Sequence, residues 1–255
     1  MSVKPKKHLG QHFLRDVQVA QRIAYAVEPE YRNHILEIGP GTGVLTQYLQ
    51  EIAQKLTLVE LDSESVEYLQ SQPSTADLPI LHTDFLKLDL QNLESEELTI
   101  AGNFPYNISS QILFHVLDHI SLVPHLVGMF QKEVAERVAA PHGNKTYGIL
   151  SVLVQAYYHV EYLFTVPPGV FDPPPAVHSG VMKMTRYRTT LPGVESKFFA
   201  RVVKAGFNQR RKTLRNSLKA ILLEKNKTDH AFLSLRAEQL SVEDFISLTK
   251  WLSDE

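Results

Sequence analysis

The chain has 255 residues, of which 44% are hydrophobic and 21% charged, and it contains no cysteine. This is enough chain for one large domain plus a small one, too apolar for disorder, and without an apolar run of the length that spans a membrane. The missing cysteine excludes disulfides, cysteine–zinc sites and thiol catalysis, and fits a reducing, cytoplasmic setting.

The segment Met1-Ser2-Val3-Lys4-Pro5-Lys6-Lys7-His8 is basic with no apolar run behind it, which is not the pattern of a secretory signal. Beyond it, short β-rich runs alternate with helical spacing. Ile35 to Ile38, Lys55 to Leu61, Pro79 to His82, Leu98 to Gly102 and His125 to Phe130 read as strands. Val44 to Gln54, Ser63 to Gln70 and Ser110 to His119 read as helices between them. That rhythm predicts right-handed βαβ units and a mostly parallel, Rossmann-like α/β sheet. Tyr157 to Val166 and His178 to Tyr187 are strand-like on either side of a Pro-rich break, which suits an antiparallel edge. After Arg188 the character changes: the turn-rich Thr189 to Gly193 leads into helical patterns at Phe198 to Phe207, Thr213 to Glu224 and Val242 to Leu252, the last with Ser241 and Asp244 as its cap. The expected division is therefore residues 1–188 as the catalytic domain and 189–255 as a small all-helical one.

The formal net charge of -2 hides an uneven distribution. From Ser196 to Leu223 stand Lys197, Arg201, Lys204, Arg210, Arg211, Lys212, Arg215 and Lys219, with no Asp or Glu among them. A near-neutral total can carry a positive face, and Arg210, Arg211, Lys212 and Arg215 are the candidates for binding phosphates. The competing reading is a solvated helix face. His115 and His119 share a helix face but lack a third ligand, so no metal is expected.

Four motifs carry chemistry. Glu37-Ile38-Gly39-Pro40-Gly41-Thr42-Gly43 joins a strand to a helix, and Gly39 and Gly41 let backbone approach a ligand. Its G-x-G-x-G spacing is neither the dinucleotide fingerprint nor a phosphate loop. Glu60, one βαβ step later, can accept from both hydroxyls of a ribose. Asp84 ends the third strand and can accept from an adenine amino group, with Phe85 lining the ring. These positions converge at strand ends, as ligand sites do in open α/β sheets. Asn103-Phe104-Pro105-Tyr106 follows the fourth strand. The exocyclic nitrogen of adenine is a poor nucleophile because its lone pair is delocalised into the ring. Acceptors on its N–H groups, the Asn103 side-chain oxygen and the Pro105 carbonyl, draw that pair back, while Tyr106 offers a face for a flipped base. With a sulfonium methyl donor no base is needed, and positioning carries the catalysis.

At these motifs the chain resembles the ribosomal RNA adenine dimethyltransferases of the KsgA/RsmA type. The resemblance extends to Gly10-Gln11-His12-Phe13-Leu14, Gln131-Lys132-Glu133-Val134, Val166-Pro167-Pro168, Phe171-Asp172-Pro173-Pro174-Pro175 and the Phe207 to Leu218 segment. It implies S-adenosyl-L-methionine as cofactor, held at His12, Leu14, Gly39, Glu60, Asp84 and Asn103, and target-base contacts at Asn103, Pro105 and Tyr106. Phe171 would stack on the base's other face. It further implies dimethylation of two adjacent adenines in a hairpin near the 3′ end of small-subunit rRNA, with the helical domain docking on an immature subunit. A monomer is expected. The alternatives are a large-subunit methyltransferase of the antibiotic-resistance branch, a non-catalytic assembly factor, and a DNA adenine methyltransferase, which Phe104 and the lack of a large recognition domain disfavour.

Overall fold

The computed structural model describes residues 3–254, so Met1 and Ser2 of the basic start, and Glu255, lie outside the described residues. In chain order the strands and helices are β1 (Phe13–Leu14), α1 (Val17–Tyr25), β2 (His34–Ile38), α2 (Thr46–Ile52), β3 (Lys55–Glu60), α3 (Ser63–Ser71), β4 (Ile80–His82), β5 (Thr99–Asn103), α4 (Ser109–Asp118), β6 (His125–Gln131), α5 (Lys132–Ala139), α6 (Ile149–Gln155), β7 (Tyr158–Val166), β8 (Phe171–Asp172), β9 (Ser179–Arg186), α7 (Ser196–Asn208), α8 (Leu214–Ser217), α9 (Lys219–Glu224) and α10 (Val242–Ser253).

A seven-stranded sheet runs β4-β3-β2-β5-β6-β9-β7. The pairs β3–β4, β2–β3, β2–β5 and β5–β6 are parallel, and β9 lies antiparallel on β6. The expected parallel sheet with an antiparallel edge is therefore present. β2 is buried at every residue, as a central strand covered on both faces must be, with His34 and Glu37 enclosed among its apolar residues. The strand order reverses between β2 and β5, placing the ends of β2, β3 and β5 around one crevice. Two further strands form a small ribbon in which β1 pairs antiparallel with β8, Leu14 opposite Phe171.

The sequence pattern did not single out α1, α5 or α6. Helix α1 starts at Asp16, whose carboxylate accepts from the backbone N–H of Gln18 (2.9 Å) and Val19 (3.1 Å), satisfying two orphan donors. It buries Val19, Ala20, Ile23 and Ala24 in the core that also holds Leu14, Ile35, Leu58 and Val127. Near the other end of the chain, the segment expected as one helix from Thr213 is two, α8 and α9, separated at Leu218 (φ -94, ψ 7). Leu214, Leu218, Ile221 and Leu222 remain one buried stripe through the break.

The chain divides into two compact units, the first reaching Ala135 and resuming over Glu161–Arg186, the second taking Glu136–Val160 and everything from Tyr187 on. The final crossing at 186/187 lies close to the boundary expected at 189, but the second unit also takes residues 136–160. Arg210 and Gln155 explain part of its cohesion. Gln155 Nε2 donates to the carbonyls of Val138 (2.7 Å) and Ala140 (2.9 Å), and Arg210 Nη2 reaches the carbonyls of Asn144 (3.4 Å), Lys145 and Tyr147 (3.0 Å).

Candidate active site

At the C-terminal ends of β2, β3, β4 and β5 the first unit opens a cleft. His12, Gly39, Gly41, Glu60, Asp84, Phe85, Asn103, Pro105 and Tyr106 all line it. Residues separated by more than ninety positions are thus brought together by the sheet.

The glycine loop works by leaving space. Gly39 and Gly41 have φ +66 and +56, a region that L side chains seldom adopt. A Cβ on Gly41 would lie 2.8 Å from the Phe13 ring. Between loop and β3, Glu60 is held by its own backbone surroundings: one oxygen accepts from Gly41 N–H (3.1 Å), the other from Asp62 N–H (2.9 Å). Burial pushes its carboxyl above the usual range, and those N–H groups oppose the rise. Each oxygen keeps a further lone pair, as a pair of ribose hydroxyls requires. Asp84 Oδ1 accepts from Leu86 N–H (3.0 Å), which leaves its other oxygen open, and the buried Phe85 ring forms an apolar wall beside it. Asp62 caps α3 instead, bonding Glu64 N–H and Ser65 Oγ, and forms an ion pair with Lys6 of the N-terminal arm. This donor and acceptor set, apolar on its walls and polar at three strand ends, fits an adenosyl group.

Asn103 is the last residue of β5. Its Nδ2 donates to the His12 carbonyl at 2.9 Å, which fixes the amide and leaves Oδ1 as the acceptor. The Pro105 carbonyl accepts from Ile108 N–H at 3.2 Å, in the turn that starts the next helix, and lies 3.4 Å from the Ser109 hydroxyl, which also reaches the Tyr106 carbonyl at 3.1 Å. The Tyr106 hydroxyl is bonded to Ser179 Oγ on β9, burial pushes its phenol upward, and its ring centroid lies 5.4 Å from that of His12. His12 Nδ1 in turn contacts the Pro173 carbonyl at 2.7 Å.

Phe104 borders the cleft but is almost wholly buried. It is 1% exposed and packs on Phe130 with centroids 4.7 Å apart. It fits there because Gly102 and Gly128 have no side chain: a Cβ would meet its ring at 2.8 Å and 2.1 Å respectively. Glycine inside a strand signals close approach, so the pair of strand glycines was the available sign of this seat, and sequence reasoning missed it. Ser179 had no such signal.

Two expected cofactor or base contacts stand elsewhere. Leu14 is buried in the core and borders a small pocket beside the glycine loop, and it is not among the residues that line the main cleft. Phe171 is 4% exposed within the same core cluster and is not among the residues that line the cleft, and the β1–β8 pairing sets it opposite Leu14. In the second unit, Arg210 Nη2 is committed to backbone carbonyls, and Arg215 bonds Thr228 O (2.8 Å) and pairs with Asp229 (3.2 Å). Arg211 and Lys212 are exposed. Among the described residues no three His, Asp or Glu gather as a metal site, and no helix is long and apolar enough to cross a membrane.

A glycine loop after β2, acceptors at the ends of β3 and β4, and Asn-Phe-Pro-Tyr after β5 on a sheet of this order define the class of S-adenosylmethionine-dependent methyltransferases. The model of the family described as ribosomal RNA adenine dimethylase matches residues 2–254, and the chain belongs to that family. The ribosomal RNA small subunit methyltransferase A of Parabacteroides distasonis is 57% identical to it over 97% of this chain and 93% of its own length. The protein of that name from Cytophaga hutchinsonii is 55% identical over 98% of each. A dimethyladenosine transferase from Plasmodium falciparum has the same fold, with TM-score 0.79 at 24% identity over 93% of this chain and 96% of its own. The 23S rRNA methyltransferase ErmE follows at TM-score 0.70 and 24% identity, over 92% and 98%. The large-subunit enzyme thus shares the architecture, while the two sequence relatives named above carry the small-subunit name.

Proposed function

We propose that the protein transfers methyl groups from S-adenosyl-L-methionine to the exocyclic N6 of two adjacent adenines in a 3′-terminal hairpin of small-subunit ribosomal RNA, giving N6,N6-dimethyladenosine. The observation that supports this reading is the Asn103 amide on the cleft lining, whose nitrogen donates to the His12 carbonyl and leaves its oxygen as an acceptor. An N–H of the target amino group bonds Asn103 Oδ1 and the other bonds the Pro105 carbonyl, which localises the nitrogen lone pair. The Tyr106 ring supports the base, a contact worth about 1–3 kcal/mol. Glu60 and Asp84 hold the ribose and the adenine amino group of the cofactor, Gly39 and Gly41 admit it, and its sulfonium supplies the electrophilic methyl. His12 acts through its backbone carbonyl on Asn103. The reaction then depends on holding the nitrogen about 3–3.5 Å from that methyl, in line.

Arg211 and Lys212 bind rRNA phosphates in this reading, adding affinity without sequence information. Reversing both charges weakens binding and flattens its salt dependence. The enzyme acts as a cytoplasmic monomer on an immature subunit.

The test uses purified protein, labelled S-adenosylmethionine, and small subunits lacking adenine dimethylation, beside unmethylated large subunits and with Asn103→Ala as control. N6,N6-dimethyladenosine in small-subunit RNA alone, lost by at least about 100-fold in the variant, is expected. Label in large-subunit RNA would replace the small-subunit reading with that of the resistance branch. Tight subunit binding without label would leave an assembly factor.

A further inference from the structure

Residues 9–13 form one wall of the cleft. Their far end is anchored by β1, which pairs with β8, and by His12 Nδ1 on the Pro173 carbonyl at 2.7 Å. The near end has no such ladder. The N–H groups of Leu9 and Gly10 turn back on the carbonyls of Lys6 (3.0 Å) and Lys7 (3.1 Å), and Gly10 closes that turn at φ +65. These hydrogen bonds hold the turn together without tying it to the sheet. Side chains make the tie. Lys6 Nζ pairs with Asp62 and lies 3.2 Å from Glu64, Gln11 Nε2 reaches Asp62 Oδ2 at 3.4 Å, and Gln11 Oε1 accepts from Lys6 N–H at 2.8 Å.

Asp62 joins this arm to the site. Its side chain is 1% exposed, so its charge is little screened and needs a partner within the protein. Burial pushes its carboxyl up, but hydrogen bonds from Lys6, Ser65 and Gln11 outweigh that and hold it below the usual range. The same residue donates its backbone N–H to Glu60 Oε1 at 2.9 Å, on the acceptor read above as holding the ribose. Beyond the turn the next link is His12, whose carbonyl accepts from Asn103 Nδ2 at 2.9 Å. The turn also lies against the loop after β5, where a Cβ on Gly10 would stand 2.6 Å from Asn107 Oδ1. The arm thus meets the ribose acceptor at one end and the nitrogen acceptor at the other, with one lysine at its root.

We propose that Lys6 is a positioning residue for methyl transfer: by pairing with Asp62 it straps residues 9–13 along the cofactor cleft and, through the His12 carbonyl, keeps the Asn103 amide in its orientation. The proposal rests on the function proposed above. Lys6 is not among the residues that line the cleft, so it acts through Asp62 and the arm. Losing its charge leaves Asp62 buried without that counter-ion and frees the near end of the arm. The cleft then loses a wall, which lowers affinity for donor and product alike, because both use it. The Asn103 amide also loses its fixed partner, which lowers the rate even when the cofactor saturates, since this kind of catalysis depends on orientation.

The experiment compares the intact protein with Lys6→Met, which keeps the apolar stem, and Lys6→Arg, which keeps the charge. Calorimetry reads the affinity for S-adenosylmethionine and S-adenosylhomocysteine. Single turnover on unmethylated small subunits reads the rate at saturating cofactor, and hydrogen exchange reads the N–H groups of Leu9 to Gln11. In Lys6→Met both ligands should bind about threefold to tenfold more weakly, as for the loss of a partly exposed ion pair. The saturated rate should fall about tenfold. Exchange in the arm should quicken while exchange in β2 stays as in wild type, and Lys6→Arg should restore all three readings. In wild type either ligand should slow exchange at Leu9 to Gln11, a reading that needs no variant. A wild-type rate at saturation in Lys6→Met, or unaltered exchange in its arm, overturns the proposal. So does a raised KM for subunits with cofactor affinity and rate unchanged, which makes Lys6 an RNA contact instead. Each of these leaves the cofactor reading intact, whereas failure of both ligands to bind wild type overturns both.

Discussion

At the N-terminal ends of the parallel strands His34 on β2 and His125 on β6 are sealed in place. His34 Nε2 shares a hydrogen bond with Thr57 (2.9 Å), and the His125 ring stacks on Tyr31 with centroids 4.5 Å apart. Around them Thr99 bonds the Tyr31 carbonyl (2.6 Å) and Lys183 pairs with Glu28 (2.6 Å) and Glu161 (2.9 Å). At the C-terminal ends Glu60, Asp84 and Asn103 each spend part of their bonding capacity on the protein and keep the rest, and Glu37 Oε2 bonds nothing. One end of the sheet packs its polar groups away from any cleft, with His34 Nδ1 and His125 Nε2 left without a partner in the core. The other holds Glu60, Asp84 and Asn103 in fixed directions on the lining of a cleft, where a ligand can meet their remaining capacity.

This contrast has opposite signatures in pH, and they are the largest effects expected. Burial pushes His34 and His125 down to about 4 from 6.5, Lys55 adding to the fall at His34. Between those limits the unfolded chain binds the extra protons, so their contribution is complete above about pH 6.5 and is lost as pH falls toward about 4. Glu37 behaves in reverse, because its folded pKa lies above the unfolded 4.5: its cost grows as pH rises from about 4.5 to about 8. Each group contributes about 1.4 kcal/mol per pH unit within its window, or up to roughly 3 kcal/mol for each histidine. Urea unfolding across pH, compared between wild type and variants, separates them. His34→Gln with His125→Phe should flatten the acid limb, and Glu37→Gln should flatten the alkaline one. An acid limb of unchanged slope in the double variant would break the comparison at its closed end.

Next in size is the seat of Phe104. Gly128→Ala drives a methyl into that ring, overpacking the core at roughly 1–3 kcal/mol. Asn103 and Pro105 flank the displaced residue, so methyl transfer should fall about 100-fold, as expected for a shift near 1 Å at a reacting group. Gly169→Ala is the control, with nothing within 4 Å of the added methyl and no need for positive φ. Equal activity in the two variants would show that the acceptors are positioned without Phe104.

Much of the open end was legible in sequence because each of its residues stands at the end of a strand with a strong apolar pattern. Period and motif then point to the same place, as for Glu60 after β3 and Asn103 after β5. What was hidden depends on contacts between distant segments. Ser179 and the His12 carbonyl acquire meaning only once β9 and the N-terminal arm are placed, and the place of Phe171 opposite Leu14 follows from its pairing across β1–β8. Helix α6, Ile149–Gln155, was missed for a local reason: Leu150, Ser151, Val152, Leu153 and Val154 are all buried, so no amphipathic period marks it as helix rather than strand. Helix α1 was missed although Asp16 caps it and its buried residues Val19, Ala20, Ile23 and Ala24 fall on one face.

The smallest effect tests which part of Tyr106 belongs to the open end. Its ring faces the cleft, but its hydroxyl is bonded to Ser179, which is fully buried. Tyr106→Phe keeps the ring and removes that bond, costing about 0.5–1.5 kcal/mol and leaving Ser179 Oγ without its phenol partner. Adding Ser179→Ala should recover most of the loss, since removing both partners is gentler than removing one. Tyr106→Ala loses the stacking face as well, a further ~1–3 kcal/mol in RNA affinity. Urea unfolding reads the first cost, and KM for unmethylated subunits reads the second. If Tyr106→Phe raises KM as much as Tyr106→Ala does, the hydroxyl rather than the ring serves the substrate, and Ser179 must be counted with the open end instead of the closed packing of β9.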